Sequence, residues 1–225
     1  MEKTTTIIPQ GDVERQLWYC EQVAAVTAQW PERPLAFVDT YGCQQNEADS
    51  ERIRGYLQEM GYGFTDDEIC QALFNAAAIG YLITRNATTA GAEGGCQAEV
   101  GSASAMAASA AVELFGGTPR QCMDAASFAM VNILGLVCDP IGGLVENPCQ
   151  NRNAMGASNA LISAELSLAG VKSITPIDET IGVMYAVGRS IPSELRETSL
   201  GGMAVAKSAC ENCMACANKR NKMKK

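Results

Sequence analysis

"GSASAMAASAAVELFGG", residues 101–117, is a helical stretch made almost wholly of Ala, Ser and Gly and closed by Gly116–Gly117. Small side chains let helix axes approach closely, so the stretch predicts a tight helical core and not a sheet. The segments around it have the same texture. "ICQALFNAAAIGYLITRNA" (69–87) is apolar nearly all round, which predicts a buried helix. "TPRQCMDAASFAMVNILGL" (118–136) opens with Thr118 as N-cap and Pro119 at the first helical position. "RNAMGASNALISAELSLAG" (152–170) ends at Gly170, and "DETIGVMYAVGRSI" (178–191) opens with Asp178 as a cap.

Upstream of residue 68 the texture changes. "GDVERQLWYCEQVAAVTAQW" (11–30) is an amphipathic helix stopped by Pro31 and Pro34. "LAFVDTYG" (35–42) reads as a strand and "NEADSERIRGYLQEMGY" (46–62) as a helix, which is an α/β opening. The expected fold is mainly α. A tightly packed small-residue helical domain spans 68–209, preceded by a short α/β fragment over 1–67 and followed by a Cys-rich basic tail over 210–225. No internal repeat and no low-complexity linker divides them.

Charge and composition exclude several functions. Residues 1–67 carry 5 basic and 12 acidic side chains, and the whole 225-residue chain has a net charge of −8. That balance argues against a general nucleic-acid binder, which needs clustered Lys and Arg. Zero histidines rule out a Ser-His-Asp triad, a Cys-His dyad and His-ligated zinc within the chain. No apolar run reaches the roughly 18 residues of a membrane span, and the N-terminus is polar, so the expected location is cytoplasmic. Ten cysteines in such a setting point to metal ligation or packing before disulfides.

Three cysteines stand in Gly- and Pro-rich surroundings expected to be loops. Cys96 lies in "TAGAEGGCQAEVGSA" (89–103), and Cys138 and Cys149 bracket "CDPIGGLVENPC" (138–149). Glycine lets backbone approach a bulky inorganic core and offers N–H groups to its sulfurs. Cys70 and Cys122, by contrast, fall on helix faces and read as packing.

"NATTAGAEGGCQAEVGSASAMAASAAVELFGGTP", "GLVCDPIGGLVENPCQNRNAMGASNAL" and "VGRSIPSELRETSLGGMA" resemble the alpha subunit of the iron–sulfur-dependent L-serine dehydratases, or L-serine ammonia-lyases. The resemblance runs from about residue 69 to 206 and covers roughly the C-terminal half of that subunit. It implies that Cys96, Cys138 and Cys149 hold a [4Fe–4S] cluster with one iron left open as a Lewis acid. It implies a lyase that removes the Cα proton and β-hydroxyl of L-serine. The resulting enamine tautomerises to an imine, and water converts that to pyruvate and ammonia. It also implies a beta subunit as partner; a partial alpha chain with exposed apolar surface could instead form a homo-oligomer, and the charge balance and lack of an apolar span lead us to expect neither nucleic acid nor membrane as partner.

Arg152 and Asn153, just after Cys149, are candidates to bind the substrate carboxylate. The alternative for Arg152 is a surface arginine at a helix start, and Asn153 could instead donate to a cluster sulfur. Glu93, Glu99 and Glu146 lie near the cysteines in sequence and could move protons, with no ranking among them.

Residues 34–68 resemble a different family, the N-terminal fragment of tRNA methylthiotransferases, with Cys43 matching one of its cluster cysteines. The other two cluster cysteines and the C-x3-C-x2-C radical motif are absent, so the chain reads as a fusion of two fragments. A tRNA-modification protein is therefore one alternative function. A non-catalytic iron–sulfur module is another, built on Cys210, Cys213 and Cys216. Their C-x2-C-x2-C run has Arg220 where a fourth cysteine would stand. One of these tail thiolates could also reach the open iron.

Overall fold

Prolines and glycines stand at several helix ends: Pro9, Pro148 and Pro176 occupy N-caps, and Gly95 another. A computed structural model describes residues 9–32, 34, 55–57, 59–61 and 63–212. The helices bounded among the described residues are α1 (Gln10–Thr27), α2 (Asp66–Asn86), α3 (Gly91–Gly94), α4 (Cys96–Leu114), α5 (Pro119–Asn132), α6 (Cys149–Leu168), α7 (Ile177–Ser190) and α8 (Lys207–Asn212). Short 3-10 turns cover Ile141–Gly143, Ser193–Leu195 and Gly202–Val205. Among the described residues the β pairing consists of an isolated parallel bridge between Cys138 and Arg196, so the fold is mainly α.

Thr118 caps α5 as expected. Its hydroxyl accepts from the Gln121 N–H while Gln121 reaches back to the Thr118 N–H, a full capping box. Gly170, at φ +91°, follows the end of α6. Asp178 does not cap α7. Pro176 occupies the N-cap and Asp178 lies in the first turn, where its charge still favours the helix N-terminus.

The chain divides into two compact units, Met1–Glu68 and Ile69–Lys225. In the first, the buried Thr27 at the end of α1 donates from its hydroxyl to the Met60 carbonyl at 2.8 Å. The expected strand over 35–42 and Cys43 lie outside the described residues, as does most of the helix expected over 46–62. In the second unit, α4 is central and packs against α5, α6 and α7. Its core is a cluster of Ala105, Ala108, Ala125, Ala126, Ala129, Ala160 and Ala164 with Ile79, Ile83, Met130, Ile181 and Met184. Alanine at the crossings is what brings these axes close.

The expectation that residues 69–87 would be buried all round is corrected. One face of α2 packs inward through Ala72, Ile79 and Ile83, while Leu73, Phe74 and Tyr81 are 62%, 77% and 66% exposed. Cys70 sits on the exposed side and is not a packing residue; Cys122 is buried as expected. The helix lies at the margin of the unit, so only one of its apolar stripes finds a partner.

A satisfied polar network crosses the core at Asn159, whereas the buried hydroxyls of Ser102 and Ser163 find no partner among the described residues. Asn159 on α6 donates to the Ser104 hydroxyl at 2.9 Å and to the Ala129 carbonyl at 2.8 Å, and accepts from Asn132 at 2.8 Å. One side chain thus ties α4, α5 and α6 together. Asn159→Ala is expected to cost about 1–3 kcal/mol by orphaning these groups, read as a lowered midpoint in a denaturant titration.

Candidate metal centre

Two of the three singled-out cysteines prove to open helices and do not lie in loops. Cys96 is the first residue of α4 and Cys149 the first of α6. α4 begins five residues before the expected start because Gly95 serves as its N-cap at φ +77°. A side chain at Gly95 would also meet the Leu136 carbonyl at 2.7 Å, so the position is glycine for both backbone and space. Cys138 alone lies in irregular chain, buried at 3% exposure. Its N–H donates to the Leu195 carbonyl at 2.8 Å and its carbonyl accepts from the Glu197 N–H at 2.7 Å.

The sulfurs of Cys96 and Cys138 and a carboxylate oxygen of Glu99 lie within 4.8 Å of one another, a set able to hold a metal ion. Glu99 Oε2 is 4.0 Å from Cys96 Sγ, one helical turn along α4. Cys149 is not a member of this close set. It is half-buried at the head of α6, beyond the loop that follows Cys138, and within electrostatic reach of Cys96. Of the three glutamates named from sequence, Glu99 stands beside the thiols. Glu93 and Glu146 are exposed and contribute backbone carbonyls, to Arg196 and to the Gln150 N–H.

The electrostatics distinguish the thiols. A hydrogen bond from Cys138 pulls the Cys96 thiol down to about 7; burial opposes this and Arg152 assists it. The same contact pushes the Cys138 thiol up, since two adjacent sulfurs resist sharing a second negative charge. Burial, then the charge of Cys96, pushes Cys149 up, and burial raises the Glu99 carboxyl.

Arg152 is not a surface residue. Burial works against its charge, yet its pKa is raised by Asp139 beside it. Its Nη1 lies 2.6 Å from Asp139 Oδ1, with the two side chains only 15% and 3% exposed. Asn153, next along α6, is exposed. Cys210, Cys213 and Cys216 offer no described side chain, and the expectations placed on them lie outside the described residues.

Sequence reasoning missed two supports of the site. Gln97, 1% exposed, donates to the Gly94 and Met184 carbonyls and accepts from the Gly135 N–H. It locks the turn before Cys96 to α7 and to the turn that leads into Cys138. Asp139 is the other. A polar side chain directly beside a candidate ligand was the available signal for both.

A family model described as the serine dehydratase alpha chain matches residues 53–204. The "Probable L-serine dehydratase, alpha chain" of Bacillus subtilis (strain 168) is 55% identical over 140 residues, 62% of this chain and 47% of that protein. The "L-serine dehydratase, alpha chain" of Peptoniphilus asaccharolyticus is 56% identical over 146 residues, 65% of this chain and 50% of that protein. The "Probable L-serine dehydratase, alpha chain" of Latilactobacillus sakei is 58% identical over 132 residues, 59% of this chain and 63% of that protein. The chain therefore spans about half to three-fifths of the length of these relatives. The match begins within the segment that suggested a tRNA methylthiotransferase, and it supports the dehydratase reading over the tRNA-modification one.

Proposed function

This chain belongs to the serine dehydratase alpha chain family, and from that premise we propose that it is the metal-bearing part of an L-serine ammonia-lyase, with residues 68–209 as the domain that carries the site. The observation that supports this most is the approach of Cys96, Cys138 and Glu99 to within 4.8 Å, all three within the span of the family match.

The donor set fits an iron–sulfur cluster. Thiols are the ligands such clusters take, and the chain has no histidine to compete for the role. Cys96, Cys138 and Cys149 would hold a [4Fe–4S] cluster, with Cys149 supplying the third thiolate from the head of α6. When bound, the cluster supplies Lewis-acid activation of the substrate hydroxyl through the iron that lacks a protein thiolate.

The chain's own groups do the rest. Cys96 and Cys149 each open a helix, whose positive dipole end favours a thiolate; at Cys149 burial outweighs this and raises the thiol. Glu99 is the carboxylate best placed to take or return a proton beside the site. Asn153, exposed on the first turn of α6, is offered as a donor to the carboxylate of L-serine. A beta chain, or a second copy of this one, is proposed as partner, and the cytoplasm as the location. No helix among the described residues is long and apolar enough to cross a membrane.

The test is anaerobic reconstitution with ferrous iron and sulfide. The expected product is brown and carries about four irons per chain. With a beta chain of the family added, L-serine is expected to release pyruvate and ammonia in equal amounts. Four irons without pyruvate would favour the non-catalytic iron–sulfur module; no iron uptake would overturn the cluster.

A further inference from the structure

We infer that Arg152 serves the metal centre through sulfur: its guanidinium, aimed by Asp139, donates to Cys96 Sγ and positions that ligand. This rests on the reading of Cys96 as a cluster ligand. Arg152 Nη1 has two hydrogens and three acceptors around it. These are Asp139 Oδ1 at 2.6 Å, the Val137 carbonyl at 2.8 Å and Cys96 Sγ at 3.8 Å. The two oxygens fix where the nitrogen lies, and the sulfur takes a share of its hydrogens. A ligating thiolate is a stronger acceptor than a thiol, so the share grows when the sulfur is bound to metal.

Asp139 is held from behind. Its second oxygen accepts the Met203 N–H at 2.6 Å. Gly202, at φ +62°, packs so closely on the carboxylate that a side chain there would overlap it. The same stretch of chain, through Leu195 and Glu197, also holds the backbone of Cys138 on both sides. Residues 195–203 therefore brace both sulfurs, Cys138 directly and Cys96 through Asp139 and Arg152. A carboxylate clamp needs two nitrogens on one free edge of the guanidinium. With Nη1 engaged three ways, only the Nε–Nη2 edge remains.

The experiment uses the full chain, reconstituted anaerobically, with Arg152→Lys and Asp139→Asn as variants. Iron retention against a chelator, the cluster reduction potential, and the L-serine concentration that half-perturbs the cluster absorption are measured on each. Both variants are expected to assemble the cluster but to release iron about 10–100-fold more readily than the parent, as loss of outer-shell support does. Their potentials should shift together, because Asp139→Asn leaves the arginine in place but removes the charge that aims it, together with one of the two oxygens that accept from Arg152 and Met203. Parental iron retention and potential in both variants, with only the L-serine requirement raised in Arg152→Lys, would overturn the inference in favour of the clamp. If Asp139→Asn fails to fold by circular dichroism, Arg152→Lys decides alone on the same readouts. A parent chain that takes up no iron defeats the cluster reading first, and is seen before any variant is compared.

Discussion

Exchange of Cys138 for serine is expected to abolish the brown colour of the reconstituted chain and to bring its iron content from about four per chain to near background. Cys138 is the thiol with the least freedom to be replaced by a neighbour. Its backbone is pinned by Leu195 and Glu197, and its side chain is buried against Val100, Ile133 and Cys96. A serine hydroxyl fills nearly the same space, so the fold should survive, at a cost of about 1–3 kcal/mol for a buried hydroxyl that finds no good partner. The hydroxyl is a hard, barely acidic donor and cannot replace a soft thiolate on iron. Cys122→Ser is the control. Cys122 is equally buried, but it lies in the main core with Glu113 beside it at 3.8 Å, and it touches no member of the metal set. That variant should lose stability and keep its iron. Iron analysis, visible absorption and a thermal melt on both proteins separate the two effects. Full iron in Cys138→Ser would remove Cys138 from the ligand set.

The helical character of the second unit was legible in the sequence because its signals are local. Thr118–Pro119 and Gly170 mark helix ends by their own backbone chemistry, and the Ala/Ser/Gly texture of 101–117 can pack only as closely spaced helices. What failed depended on tertiary position. Residues 69–87 carry apolar side chains on more than one face, and nothing in the pattern tells whether one or two of those faces will find a neighbour. The start of α4 was misplaced because glycines upstream of Cys96 look like loop residues, whereas Gly95 caps a helix through a positive φ that composition does not reveal. That displacement matters chemically: it turns Cys96 from a loop thiol into one at the positive end of a helix. Arg152 was legible as a charge near the site but not as a buried one. Its partner Asp139 stands 13 residues earlier, across a loop whose path only the folded chain defines.

Gly188→Ala is expected to disable the site from a distance while the helix that carries it remains helical. An added methyl at Gly188 on α7 would lie 2.8 Å from the Gly94 Cα, 2.9 Å from the Gln97 amide nitrogen and 3.0 Å from the Gly94 carbonyl. Two of those three atoms are backbone and cannot swing aside. α7 must then move away from α3 and the start of α4, and overpacking of this kind costs about 1–3 kcal/mol. The displaced contacts are those that place Cys96. Gln97 would lose its bonds to Gly94 and Met184, and the turn before the cysteine would shift with them. Gly182→Ala on the same helix is the matched comparison. A methyl there meets nothing within 4 Å, so the substitution should stabilise α7 by about 0.5–1 kcal/mol through helix propensity alone. The two variants are therefore expected to shift the denaturant midpoint in opposite directions, and only Gly188→Ala should lower iron uptake. Equal and parental iron content in both would mean that α7 does not hold Cys96 in place, and that the contact of Gly188 with Gly94 is packing without consequence for the metal centre.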